Sequence, residues 1–356
     1  MRYSFSFPVR NSLRALVRNF LSRRHVPVFL SLDVTRKCNA RCPFCGFWKS
    51  EPSGEMTLEE IRKILEDAYG LGCIVATITG GEPFLRRDLP TILEYAKNAG
   101  LTTFLLTNGS LLESRIKEVY RNLDVVSVSI DFPDSRHDET RGIKDLFQKA
   151  MRGINLAQSL GVTANINSII TSAHTLKDVE DLLALAERLN CGITFAPMFE
   201  LTELHEHTAY IGRLSEKSES MKISNWENIR TIADRLLYHK NHQYRKTIQN
   251  TGAYLKLIRD RGSFTCYPLS LQIGISTNGD VSSVCPIGIG GGHYVGNALK
   301  QDLKEIWYSE RAERLREKFK NCKMAQQVGC YLLCVAEFSL LYDKPSTMLD
   351  YLRRLF

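Results

Sequence analysis

From about residue 26 to residue 200 the chain alternates short β-rich runs with segments of helical period. This alternation restricts the fold more than any other feature. The strand candidates are residues 28–34, 75–79, 102–107, 125–130, 163–170 and 193–197. Between them, residues 58–69, 89–99, 112–122, 144–160 and 176–189 carry apolar side chains at helical spacing. Gly70, Gly100 and Gly161 are placed to stop three of these helices. Strands alternating with helices make βαβ units and a parallel sheet. Six units without a clear seventh and eighth predict an α/β fold, a partial (β/α)6 barrel.

After Glu200 the alternation stops. Residues 201–261 read as a connector, polar at first and helical from Asn225 to Arg261. His205, Glu206 and His207 lie in its first part and read as a solvated loop. In the cysteine-bearing stretch 262–336, residues 271–276 and 281–284 read as a hairpin turning at Asn278-Gly279. The basic ends are amphipathic. Residues 1–25 hold six arginines and no acid, with Leu13, Leu16, Val17, Phe20 and Leu21 on one helical face. Residues 337–356 end in the stripe Met348, Leu349, Leu352, Leu355 and Phe356 beside Arg353 and Arg354. Such helices suit an anionic membrane surface or packing on the domain itself.

Composition narrows the class. Hydrophobic content of 44% over 356 residues supports a large core. The net charge of +8 comes without a nucleic-acid-binding motif or a long basic run, so nucleic acid is not an expected partner. No apolar run approaches the ~18 residues of a membrane span, and no apolar secretory segment follows the basic start. A reducing cytoplasm is expected, with the basic ends touching the inner face of a membrane. Ten cysteines are too few for a disulfide scaffold of this length. Cys73 and Cys191 stand alone in apolar stretches and read as buried small hydrophobes.

The other eight fall in two groups. Cys38, Cys42 and Cys45 share one short loop directly after the first strand. A four-iron cluster takes one ligand per iron. Three thiolates leave one iron open, which separates a reacting site from a closed one. At the end of the second strand stands Gly80-Gly81-Glu82-Pro83. Ligands of parallel α/β sheets gather at the carboxyl ends of strands. The two glycines admit close backbone approach with N–H groups free to donate, and Glu82 offers an acceptor for a cation. Further strand ends present Asn108, then Ser129 and Asp131, then Asn167, with Asp131 placed to accept from ribose hydroxyls.

The spacing Cys38-x3-Cys42-x2-Cys45, with Phe44 before the last cysteine, resembles the signature of the radical S-adenosylmethionine (radical SAM) superfamily. Gly80 to Pro83 resembles its second motif, and residues 137–142 resemble members as well; the match covers about residues 26–200. The resemblance implies that Cys38, Cys42 and Cys45 bind three irons of a [4Fe–4S] cluster and that SAM chelates the fourth. Backbone near Phe44 would face the adenine, and Gly80, Gly81 and Glu82 would hold the methionine amino group. Ser129, Asp131, Arg141 and Asn167 would contact ribose and carboxylate. One electron from a reductant such as ferredoxin or flavodoxin would then release a 5′-deoxyadenosyl radical.

The later group, Cys266, Cys285, Cys322, Cys330 and Cys334, resembles the SPASM extension that carries auxiliary clusters. The pattern departs from that family. A cysteine is missing at Ala325 and another after Cys334, and the spacing from Gly279 to Cys285 is one residue longer than the family's. Five thiolates fill one four-iron cluster, so the tail resembles a degenerate SPASM or the shorter twitch form. Cys266, Cys285 and Cys334 are the expected ligands, with Cys330 or Cys322 as the fourth; a structural zinc is the alternative. A peptide-modifying enzyme of this kind often carries a leader-binding domain before the barrel, for which 25 residues leave no room. The basic ends therefore favour a lipid or isoprenoid substrate, with a peptide as the alternative and a small sugar or cofactor precursor as the third option. A non-catalytic iron–sulfur carrier or sensor is the competing class.

Overall fold

The computed structural model describes residues 25–49, 54–198, 221, 223, 225–283, 293–322, 330–331 and 333–343. One sheet organises them. Strands β1 (Phe29–Thr35), β2 (Val75–Gly80), β3 (Thr102–Thr107), β4 (Val125–Ser129), β5 (Thr163–Ile170) and β6 (Gly192–Pro197) lie side by side in chain order, all parallel. Helices α1 (Leu58–Leu71), α2 (Leu89–Asn98) and α3 (Leu112–Val119) make the first three crossovers. A short helix α4 (Arg136–Arg141) and then α5 (Leu146–Ser159) make the fourth, and α6 (Leu176–Arg188) the fifth. This is the expected α/β partial barrel, with strand limits within a residue of the sequence reading.

Local chemistry sets the ends. Thr57 and Glu60 form a reciprocal capping box at the start of α1, and Thr175 and Asp178 repeat it for α6. The stop of α1 differs from expectation. Gly70 stays inside the last turn, and Gly72, at φ 127°, ends the helix two residues later. That backbone angle excludes residues with a Cβ at position 72, whereas Gly70 needs no special conformation.

Beyond β6, α7 (Trp226–Asn241) and α8 (Gly252–Arg259) occupy the connector. The expected hairpin forms from β7 (Gln272–Ile275) and β8 (Asp280–Ser282), and β9 (Tyr294–Asn297) adds to it. β7 also pairs in parallel with β1, so the hairpin extends the barrel sheet on its β1 side. Helices α9 (Leu303–Trp307) and α10 (Glu310–Lys320) follow, then α11 (Leu333–Asp343). Arg316 of α10 donates to the Leu269 and Trp307 carbonyls and lies 4.6 Å from the Trp307 ring. It thereby ties α10 to the chain entering β7. No helix among the described residues is long and apolar enough to cross a membrane. The basic amphipathic stretches at both ends and His205 to His207 lie outside the described residues.

The sheet has two chemically distinct faces. Leu30, Leu32, Val34, Ile78, Leu105, Val126, Val128, Ile166 and Ile193 join the core with Ile61, Leu65, Ile92, Ile116, Ile154 and Leu182 of the crossover helices. The alternate residues face the barrel interior. They include Ser31, Asp33, Thr77, Thr79, Ser127, Ser129, Asn165, Asn167 and Thr194. The outer face holds the fold together, and the inner face mixes these polar groups with Phe29, Val75, Phe104, Leu106, Val125 and Ile169.

The turn after β2 closes against the loop after β1. Gly81 N donates to Thr35 O at 2.8 Å, and Glu82 N donates to Lys37 O at 2.8 Å. A Cβ at position 81 would stand 2.1 Å from Lys37 O, a backbone atom without room to retreat. Gly81→Ala is therefore expected to lower the unfolding free energy by roughly 1–3 kcal/mol. Gly70→Ala, with nothing within 4 Å of the new methyl, should raise it by about 0.5–1 kcal/mol. Denaturant melts of the two variants check both signs; equal stabilities would remove the close-packed seam.

Candidate cluster and cofactor site

The loop bearing Cys38, Cys42 and Cys45 is held from three strand ends. The β2 end supplies the two backbone bonds just described. The β3 end supplies Asn108, whose Nδ2 donates to Asn39 Oδ1 at 2.8 Å, and Ser110, which accepts from Asn39 Nδ2 at 2.9 Å. From the segment after β4, Arg141 O accepts from Arg41 N at 2.8 Å. Within the loop, Cys45 N donates to Cys42 O, and Trp48 Nε1 donates to the same carbonyl at 3.0 Å. Thr35 Oγ1 accepts from Lys37 N and donates to Glu55, which fixes the exit from β1.

Each thiol of the trio is pushed up by burial, Cys38 to about 11 and Cys45 to about 12. Cys42 rises too, with the Arg141 cation acting against burial. As free side chains they are neutral thiols, and binding metal must displace their protons. Among the described residues no three His, Cys, Asp or Glu side chains converge on one metal ion. A four-iron cluster does not need such convergence, because each thiolate meets its own iron. Three soft donors on one rigid loop fit it, and the Arg141 guanidinium at 3.8 Å from Cys42 Sγ favours the thiolate form that any such metal group needs.

Glu82 is fully buried and faces the neighbouring strand. Its Oε1 accepts from Phe84 N and from Thr107 Oγ1 at 2.8 Å, and its Oε2 from Asn108 N at 2.7 Å. Burial lifts the carboxyl to about 7 against these donors. This corrects the expected acceptor role: Glu82 braces β2 to β3. The expectation of free N–H groups at Gly81 and Glu82 is corrected as well, since both bond the cysteine loop. The Gly81 carbonyl accepts no hydrogen bond among the described residues, so the backbone there offers an acceptor. Pro83 is buried in the turn that Glu82 caps, and Gly80 lies against Thr35.

Asp131 is likewise committed. Arg141 Nε donates to its Oδ2 at 2.8 Å and Nη2 to its Oδ1 at 3.1 Å, while Ile169 N takes Oδ1 at 3.1 Å. Burial opposes ionisation of this acid, yet Arg141 foremost holds it below the usual carboxylate range. Its main chain is pinned as well, by His137 Nδ1, which accepts from Asp131 N, and by His174 Nε2 at 2.8 Å from Asp131 O. Desolvation drops His137 to about 4, so the ring is neutral at pH 7. Both Asp131 oxygens are thus engaged within the protein, and the acid fixes the position of Arg141. Arg141 spans from Asp131 to Cys42 and stands 5.8 Å from the Phe44 ring. Ser129 and Asn167 are register partners on the inner face, and Asn167 Oδ1 accepts from Thr194 at 3.1 Å.

In the later group, Cys266 and Cys330 are buried and Cys322 is half-buried. Tyr331 O accepts from Tyr254 Oη at 2.8 Å, and Tyr331 Oη donates to Gly262 O, so Cys330 is carried by an anchored segment. Cys285 and the Cys334 side chain lie outside the described residues. Cys73 and Cys191 are buried in the core, as expected. Sequence reasoning overlooked Asp33, Asn39 and Trp48. Asn39 had a signal in its place between the first two cysteines.

Residues 32–186 match the radical SAM superfamily, and residues 266–331 match an iron-sulfur cluster-binding domain, SPASM. The chain is 27% identical over 325 residues to an Fe-coproporphyrin III synthase of Methanosarcina barkeri, covering 82% of this chain and 76% of that one. It is 33% identical over 165 residues to an AdoMet-dependent heme synthase of Oleidesulfovibrio alaskensis, covering 45% of this chain and 42% of that one. The chain thus spans less than half of that relative's length. In fold it is similar to Streptococcus suis SuiB with S-adenosylmethionine, at TM-score 0.68 and 17% identity over 89% of this chain and 76% of that one. It is similar also to anSMEcpe with bound AdoMet, at TM-score 0.65 and 18% identity over 92% of this chain and all of that one. The three-cysteine loop, the strand-end rim and both matched regions agree: the chain belongs to the radical SAM superfamily of enzymes, with a SPASM region that implies an auxiliary iron–sulfur cluster beside the SAM-binding [4Fe–4S] cluster.

Proposed function

We propose that this protein reductively cleaves SAM and abstracts hydrogen from an unactivated C–H bond of a polar substrate. The observation that carries the reading is the loop of Cys38, Cys42 and Cys45, clamped between strand ends with Arg141 at 3.8 Å from Cys42. Cys38, Cys42 and Cys45 would hold the cluster. When bound, cluster and SAM supply one-electron cleavage to a 5′-deoxyadenosyl radical. The chain's own contribution is placement and exclusion of water. Gly81 O is the free acceptor suited to the SAM amino group. Phe44 and the inner-face pair Ser129 and Asn167 are placed for adenosine. Cys266, Cys285 and Cys334, with Cys330 or Cys322 as the fourth, would supply the auxiliary ligands.

The inner face bears on the substrate. Hydroxyls and amides of Ser31, Thr77, Thr79, Ser127, Asn165 and Thr194 line it. A pure hydrocarbon would leave Ser31, Thr77, Thr79, Ser127 and Asn165 unpaired, at about 1–3 kcal/mol each, while Phe29, Phe104, Leu106 and Ile169 on the same face offer apolar contact. A peptide or another molecule with both hydrogen-bonding and apolar groups suits this mixed lining, and it is preferred here over a lipid or isoprenoid. SuiB, of the same fold, has been seen bound to its precursor peptide SuiA.

Two outcomes test the reading. Anaerobic reconstitution should load about eight irons per chain, falling to about four when Cys38, Cys42 and Cys45 are all alanine. The loaded protein, given dithionite and SAM, should form 5′-deoxyadenosine; its absence with SAM bound would favour the carrier or sensor class. A third outcome concerns the ion pair. Asp131→Ala strands the buried Arg141 guanidinium and should cost about 3–5 kcal/mol of stability, whereas Asp134→Ala on the surface should cost under about 1 kcal/mol. Comparable losses in urea melts would show that the buried pair carries no special weight.

A further inference from the structure

Asp33 stands apart from every group assigned above. It lies on β1, five residues before Cys38, with Thr79 as its register partner on β2. Its parity on the strand, opposite to that of Leu32 and Val34, turns it to the barrel interior. It is 6% exposed; no described residue donates a hydrogen bond to its carboxylate, whose oxygens keep a narrow contact with solvent. Glu82 and Asp131, the other buried acids of the rim, accept three hydrogen bonds each. At the inner-face positions of β1 to β7, Asp33 alone is ionisable. Its flank is neutral: Ser31 and Thr79 beside it, then Ser127 and Asn165 across the sheet.

A buried carboxylate without donors is unfavourable for the fold taken alone. It is retained where a ligand supplies the missing partner. Half-buried Arg36 is the charged group whose field lowers it, and burial still lifts Asp33 to about 7. We infer that Asp33 is the substrate anchor of the barrel interior, pairing with a protonated amine or other cationic N–H group of the substrate. The inference rests on the proposed polar-substrate reading and gives it a chemical class. The acid's location below the cysteine loop would hold a bound cation inside the barrel, under the place where SAM is expected.

The test uses the full-length, cluster-loaded, SAM-bound protein with radiolabelled benzylamine as the cationic probe and benzyl alcohol as its neutral counterpart. In equilibrium dialysis at about pH 8.5, Asp33→Asn should weaken benzylamine binding about tenfold and leave benzyl alcohol unchanged. Wild-type binding of benzylamine should fall as the pH drops to about 6, because the carboxylate protonates while the amine stays cationic; the Asn variant should show no such slope. A purely structural Asp33 predicts the opposite pattern, with equal probe affinities and a lower melting temperature for the variant. Removing an unpaired buried charge should leave the melt at about pH 8 no lower than wild type. If Asp33→Asn is nevertheless unstable, Asp33→Ser and the wild-type pH profile decide. Benzylamine binding that is absent in the wild type, unaltered in the variant or independent of pH overturns the anchor. Wild-type 5′-deoxyadenosine formation is measured in parallel; its failure would remove the radical reading while the amine result is judged separately.

Discussion

The arrangement depends on a seam of two backbone hydrogen bonds, Gly81 N to Thr35 O and Glu82 N to Lys37 O. Parallel strands pair along their length, but loops beyond the strand ends ordinarily diverge. Here the turn after β2 continues the pairing past the end of β1, along the chain that leads to Cys38. The approach is so close that neither Gly80 nor Gly81 tolerates a Cβ. Glu82 is pulled inward as a consequence and brackets Thr107 and Asn108, which fixes β3 in turn. Asn108 then reaches back to Asn39. The cysteine loop is thereby built into the sheet's rim, as a pre-organised donor set requires.

Much of this was legible in the chain before its structure. The βα alternation has a strong periodic signal, and the six strands fall where periodicity places them. What escaped has identifiable physical causes. α4 is six residues long and nearly all polar, so it shows no apolar period to detect. The pairing of β7 with β1 joins segments about 240 residues apart, which local pattern cannot report. Glu82 was read as a ligand-facing acid because sequence shows that an acid is present and not which strand it faces. Asp33 was hidden for the related reason that a polar residue on a strand looks the same whether it meets solvent or a barrel interior.

The two faces of the sheet explain how one fold carries a polar chamber without losing its core. The crossover helices bury only the outer face, which is mainly apolar. The inner face carries less of the packing and mixes Ser, Thr, Asn and one Asp with apolar residues such as Phe104 and Leu106. Apart from the Thr194–Asn167 bond, its side chains make few hydrogen bonds to one another, which leaves them available to a ligand. The extension by β7 to β9 continues the same sheet on the β1 side and brings Cys266, just before β7, into the fold through that pairing.

The buried charges near Cys42 balance for a loaded site better than for an empty one. Arg141 has one carboxylate partner, Asp131, and a thiol at 3.8 Å. With Cys42 protonated, the pair is a neutral island whose desolvation roughly cancels its attraction, so it adds little to stability. Once Cys42 is a thiolate, the same guanidinium faces two anions and its hydrogen bond to sulfur becomes charge-assisted. Burial pushes all three thiols toward the neutral form, so something must favour the thiolates when metal arrives. Arg141 can do so only if its position is set beforehand. The donors to Asp131 from Ile169 N and the clamp of His137 and His174 on its main chain set it. An arginine held this way cannot swing to follow solvent, so its field stays on the cysteine loop whether or not metal is bound.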